Sequence, residues 1–166
     1  MLPGVKVYEI SKHPDERGSF SEIFRQDWTD IIETTDKIVQ ANLSFSHPGI
    51  IRAWHRHQRG QIDYFITIQG KTKICAYDDV VDSPTRGQLD EIISQGDKLQ
   101  CVRIPGYYHH GYKVLGNEPA LLVYLTTKLY DYNNPDEERR PWDDPTVLDP
   151  RTKKPYDWNV IPQEKS

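Results

Sequence analysis

The residues with most chemical content stand between positions 49 and 70, in GIIRAWHRHQRGQIDYFITIQG. Gly49 is followed by five residues, then His55-Arg56-His57, five more, Asp63, six more and Gly70. A second group, IPGYYHHGY, carries Pro105, His109, His110 and Gly111. Side chains two apart on a strand share a face, so His55 and His57 can look into one cavity, where an imidazole from His110 can meet them. Imidazole titrates near neutrality, so such a cluster can act as a general base. The same set of His55, His57, Asp63 and His110 offers three imidazoles and a carboxylate, which suits a divalent iron, manganese, zinc or nickel ion. His109 is expected on the face opposite His110, packed or in solvent. His13 and His47 fall in loops and are expected at the surface.

Strands must position these groups. GVKVYEI, KIVQANLSF, DYFITIQG, KTKICAYD, KLQCVRI and ALLVYLTT are short runs rich in Val, Ile, Thr and aromatics, several of them alternating. Turn clusters such as HPDERGS, SHPGI, DDVVDSPTRGQ, SQGD, IPGYY and VLGNEP separate them. One short helix is expected in QDWTDIIETT, capped by Asp27 or Thr29. Short strands between such turns predict an all-β sandwich or barrel, and the lack of helical crossovers argues against a parallel α/β sheet. From Asp131 onward the chain is rich in Pro, Asp and charge, which predicts an extended tail or lid over 131–166 within a single domain 1–166.

Bulk properties narrow the function. The chain has 166 residues, 28% of them charged, with a net charge of −4. A general nucleic-acid binder would show a basic excess, so no nucleic-acid partner is expected. A few arginines inside a pocket can still take an anionic small ligand. Neither a secretory leader nor a membrane-spanning run is seen, and no membrane partner is expected. Cys75 and Cys101 stand in strand-like runs and read as buried thiols, so a reducing, cytoplasmic location is expected.

The spacing around His55, His57, Asp63 and His110 resembles the two halves of the cupin signature. With it stand DERGSFSEIF (15–24), QANLSFSHPGIIR (40–52), IPGYYHHGY (104–112), VYLTTKLY (123–130) and RPWDDP (140–145), in that order. Together they resemble the deoxythymidine-diphosphate-4-dehydrorhamnose 3,5-epimerase family. The resemblance implies a cupin-type double-stranded β-helix (jelly roll), a homodimer, a nucleotide-diphosphate sugar as substrate and no cofactor. It implies His55 as catalytic base and Tyr124 as the acid on the opposite face of the sugar. It places Arg17 and Arg52 on the diphosphate, a task suited to a forked, permanently charged guanidinium. Glu22 would touch the base or ribose. Gln40, Asn42, His110 and Tyr130 would line the pocket, with Trp142 packing or lining it. The implied activity is inversion at carbon 3, carbon 5 or both of a 4-keto-6-deoxysugar.

Two departures from that family stand out. Asp63 occupies the place of a lysine that supports the enolate oxygen, and the C-terminal aspartate that orients the histidine has no counterpart. The expectation is therefore that Asp63 orients His55 or His57 while another histidine stabilises the enolate. RAWHRHQ also resembles the His-Ala-His motif of 3,4-ketoisomerases acting on the same sugars. A metal-dependent cupin enzyme and a non-catalytic sugar-nucleotide binder are the remaining alternatives.

Overall fold

A computed structural model describes residues 1–160, so the end of the expected tail, 161–166, lies outside the described residues. The strands are β1 (Lys6–Glu9), β2 (His13–Asp15), β3 (Gly18–Phe20), β4 (Gln40–Ser46), β5 (Ile51–Arg56), β6 (Ile62–Gln69), β7 (Lys71–Tyr77), β8 (Leu89–Gln95), β9 (Gln100–Pro105), β10 (His109–Leu115), β11 (Ala120–Thr126) and β12 (Glu138–Arg139). Two five-stranded antiparallel sheets form, ordered β1-β9-β6-β11-β4 and β12-β5-β10-β7-β8, with β2-β3 a separate hairpin. This is the all-β architecture expected from the strand runs, and no helix among the described residues is long and apolar enough to cross a membrane.

Alternation on the strands explains the packing. On β6 Phe65 points between the sheets, whereas Tyr64 and Ile66 point out; on β7 Ile74 and Ala76 point in, Cys75 and Tyr77 out. The inward set joins Val102, Ile104, Tyr112, Val114 and Leu122 in the central core. The outer face of the first sheet is covered by Ile31 and Ile32, that of the second by Val147, Tyr156 and Trp158 from the tail. Burying an aromatic or aliphatic side chain of this size contributes about 1.5–3 kcal/mol. The tail thus supplies apolar cover to one sheet as well as a strand, β12, to its edge.

Three local expectations are corrected. Residues 26–35 form turns, not a helix. Ile31 and Ile32 both bond back to the Trp28 carbonyl, but Asp27 is taken by Arg25, and the Gln26 side chain bonds the Asp36 carbonyl and the Ile38 amide. Thr29, Ile31, Ile32, Thr34 and Thr35 are β-branched and weak helix formers, so side-chain ties to a loop win. The HPDERGS cluster is a hairpin rather than a bare turn, which puts His13 on β2, still exposed. β8 was not among the expected strands: LDEIISQ is too polar to read as one, which suits the sheet edge that it occupies.

Candidate active site

β5 and β10 of one sheet face β6, β11 and β4 of the other around a cavity of about 860 Å³. Backbone register brings its residues together. His110 stands opposite His55 across β10 and β5, and Tyr124 stands beside Phe65 and Asn42 across β11, β6 and β4. Gly111 permits the first of these. A Cβ there would overlap the Arg52 carbonyl oxygen and the Ala53 side chain, so only glycine lets β10 lie this close to β5 at the register shift after His110.

Within the cavity the imidazoles divide into two groups. Asp63 Oδ2 lies 3.0 Å from His110 Nε2 and 3.3 Å from His57 Nε2. Gln61 donates to Asp63 Oδ1 at 2.7 Å. His110 Nδ1 donates to the Tyr108 carbonyl at 2.9 Å, and His57 Nδ1 to the Asp136 carbonyl at 2.5 Å. A carbonyl can only accept, so both Nδ1 atoms carry hydrogen and both Nε2 atoms face the carboxylate. His55 is separate: its ring centroid is 5.5 Å from that of His110, and its Nδ1 is 3.8 Å from Glu137 Oε1. Asp63 therefore lies against His57 and His110 and not against His55, so of the two histidines it was expected to orient it contacts His57, and His55 stands apart from the four-residue metal set. The ligand atoms that do converge belong to His57, Asp63 and His110.

Electrostatics reinforces the division. Burial first, then the positive potential of His110, His57 and Arg139, hold the His55 imidazole down at about 3, so it is neutral across the physiological range. Burial opposes the charge of Asp63, but hydrogen bonds from His110 and His57 outweigh it and keep the carboxylate well below its usual range. Burial likewise pulls His57 down, and Asp63 more than offsets it, so His57 is raised. Burial, then the Asp63 charge, raises Tyr124, which stays a protonated phenol.

The remaining candidates fall in two places. Arg52, Gln40, Asn42 and Tyr130 line the same cavity. Gln40 donates to Asn42 at 2.8 Å and accepts from the Tyr130 amide at 2.9 Å. Arg52 Nε donates to Ser46 Oγ at 3.0 Å, and among the described residues this guanidinium has no carboxylate partner. Arg17 and Glu22 are not brought there by their own chain. Arg17 is 84% exposed and pairs with Asp15, and Glu22 pairs with Arg25. Trp142 is half-exposed, with its carbonyl accepting from the Trp158 indole. His109 is fully buried with Nδ1 3.1 Å from Asp79, so it packs and does not reach solvent; His47 is exposed.

Two participants escaped the sequence reading. Glu137 is the one carboxylate within ion-pair reach of His55 among the described residues, and Gln61 holds Asp63. Glu137 sits in the DEERR run of the tail, and only the pairing of Arg139 with His55 across β12 and β5 reveals its place. In a second cleft of about 530 Å³ the buried charges are partnered, Arg103 with Asp36 at 2.7 Å.

Comparison with known proteins agrees with this geometry. Residues 1–149 match the dTDP-4-dehydrorhamnose 3,5-epimerase family. A probable low-salt glycan biosynthesis epimerase of Haloferax volcanii, Agl13, is 45% identical over 84% of this chain and 87% of its own length. The spore coat polysaccharide biosynthesis protein SpsL of Bacillus subtilis is 38% identical over 96% of this chain and 98% of its own. The crystal structure of the 3,5-epimerase RmlC of Legionella pneumophila, in complex with dTDP-4-keto-L-rhamnose, superposes with a TM-score of 0.79 at 30% identity, covering 89% of this chain and 78% of that one. The cupin-type jelly roll expected from the motifs is the fold of these neighbours.

Proposed function

The chain belongs to the dTDP-4-dehydrorhamnose 3,5-epimerase family, and from that premise we propose that it inverts carbon 3, carbon 5 or both of a nucleotide-diphosphate-linked 4-keto-6-deoxysugar. The observation that carries this reading is that a neutral imidazole, His55, and a protonated phenol, Tyr124, come from opposing sheets to line one cavity. A ketone acidifies the neighbouring C–H bond, because the electron pair left behind delocalises onto oxygen. His55 Nε2 takes that proton, the electrons move to the carbonyl oxygen, and Tyr124 returns a proton to the other face of the carbon. Glu137, beside Nδ1, favours the tautomer that leaves Nε2 as the base. The positive charge that the family's lysine would bring to the enolate oxygen is supplied by the cluster that Asp63 assembles with His57 and His110.

Arg52 takes the diphosphate, and Gln40, Asn42, His110 and Tyr130 hold the sugar and its phosphates. Arg17 and Glu22 serve the nucleotide end of a neighbouring copy's cavity in a homodimer. Neither lines its own chain's cavity, and this, with the exposed Leu43 and Phe45 on the edge strand β4, supports that assembly. The reaction runs in the cytoplasm, which suits two buried free thiols, and its product feeds glycan assembly, as the names of Agl13 and SpsL suggest.

The test is solvent deuterium uptake. Incubated in deuterium oxide with a nucleotide-linked 4-keto-6-deoxysugar, the protein should label carbon 3 or carbon 5. His55→Asn and Tyr124→Phe should each slow labelling by ~10² to 10⁴-fold. No labelling with any of several nucleotides sinks the reading in favour of a binder.

A further inference from the structure

The contacts of Asp63 contain a charge problem. Both Nδ1 atoms of His57 and His110 are committed to backbone carbonyls. Both Nε2 atoms therefore converge on Asp63 Oδ2, from 3.3 Å and 3.0 Å, and His57 Nε2 also lies 3.2 Å from the Gln61 amide nitrogen. A carboxylate buried with His110 and facing two imidazole nitrogens needs positive charge beside it, which either protons on the Nε2 atoms or one bound cation supplies.

We infer that His57, Asp63 and His110 form a binding site for one divalent first-row transition ion of the zinc or iron(II) kind. The ligand atoms lie within 4.8 Å of one another. Tetrahedral bonds of about 2.1 Å place neighbouring ligand atoms about 3.4 Å apart, and the two contacts at 3.3 Å and 3.0 Å fall close to that edge. Two imidazoles and a carboxylate are a donor set of borderline softness, which excludes calcium and magnesium as the preferred occupants. The supporting contacts are already made. Each histidine donates its other ring nitrogen to a carbonyl, and Gln61 holds Asp63 Oδ1 and turns Oδ2 inward. Three protein ligands leave a position open towards the cavity. His55 lies outside the set, so an ion there would leave the proposed base free. The inference does not rest on the epimerase reading, since it is read by metal uptake alone.

The experiment begins with chelator-treated, desalted full-length protein, to which zinc or cobalt(II) is added before gel filtration and elemental analysis. About one ion per chain should be retained, cobalt should show the visible bands of a nitrogen–oxygen site, and added zinc should raise Tm. His57→Ala, His110→Ala and Asp63→Asn should each weaken binding by at least ~10-fold, with circular dichroism confirming that each is folded. Should these variants fail to fold, X-ray absorption of the zinc-loaded wild type decides: two histidine scatterers at zinc support the site, and none overturns it. No retained ion, or equal retention in folded variants, also overturns it and leaves protons on both imidazoles as the balancing charge. Deuterium labelling scored on the same samples keeps the readings apart. Binding without labelling sinks only the epimerase proposal, and labelling by an ion-free protein that takes up no metal sinks only this one.

Discussion

At the scale of single residues, the site rests on which nitrogen of each histidine is committed. His57 and His110 spend Nδ1 on carbonyls and turn Nε2 to Asp63, while His55, with Glu137 Oε1 3.8 Å from its Nδ1, has neither ring nitrogen so committed among the described residues. Glu137 is a positioning residue in the proposed reaction and touches no reacting atom. Glu137→Gln should lower kcat by on the order of 10 to 10²-fold, less than loss of the base itself, with KM nearly unchanged, and Glu137→Asp should recover part of the rate. A change confined to KM would mean that Glu137 contacts substrate and does not orient His55.

At the scale of elements, two close approaches fix the catalytic geometry. β12 pairs with β5 through Arg139 and His55, and flanking bonds between Trp54 and Arg140 extend the pairing, which delivers Glu137 from far along the chain. Gly111 lets β10 press against β5. Gly111→Ala should force the two strands apart at His55 and His110, costing about 1–3 kcal/mol in urea unfolding and most of the labelling activity. An alanine variant as stable and active as wild type would show that the strands tolerate the extra atom.

At the scale of the whole molecule, stability and assembly lead to separate expectations. Asp36 is buried against the Arg103 guanidinium and the Tyr64 hydroxyl, joining the loop 26–36 to β6 and β9. Burial works against its charge, but Arg103 and Tyr64 hold its carboxyl below the usual value of 3.8. A carboxyl lowered on folding binds its proton more readily in the unfolded chain, so this contribution is complete above that value and is lost as pH falls through the folded one. Urea midpoints measured from pH 7 to pH 3 should therefore fall less steeply in Asp36→Asn, whose stability should be lower at pH 7. Assembly is tested by mixing. Arg17→Ala and His55→Asn, each nearly inactive alone, should regain activity when unfolded and refolded together, because a mixed dimer holds one cavity with His55 from one chain and Arg17 from the other. No recovery would place Arg17 outside the shared site.

The sequence by itself determined the all-β class, the pairing of His55 with His57 in one cavity and the family. Those depend on local spacing: a period of two on strands, turn residues between them, and five motifs in fixed order. The strands β8 and β12 and the loop at 26–35 were not legible, because edge strands are polar and because side-chain ties such as Gln26 to Asp36 override local preference. Only tertiary structure decided which imidazoles Asp63 holds, that Glu137 from the tail stands by His55, and that Arg17 and Glu22 lie away from their own cavity. These are contacts between residues far apart in sequence. Their partners are chosen by sheet register and chain packing, and no local pattern of residues encodes such a choice.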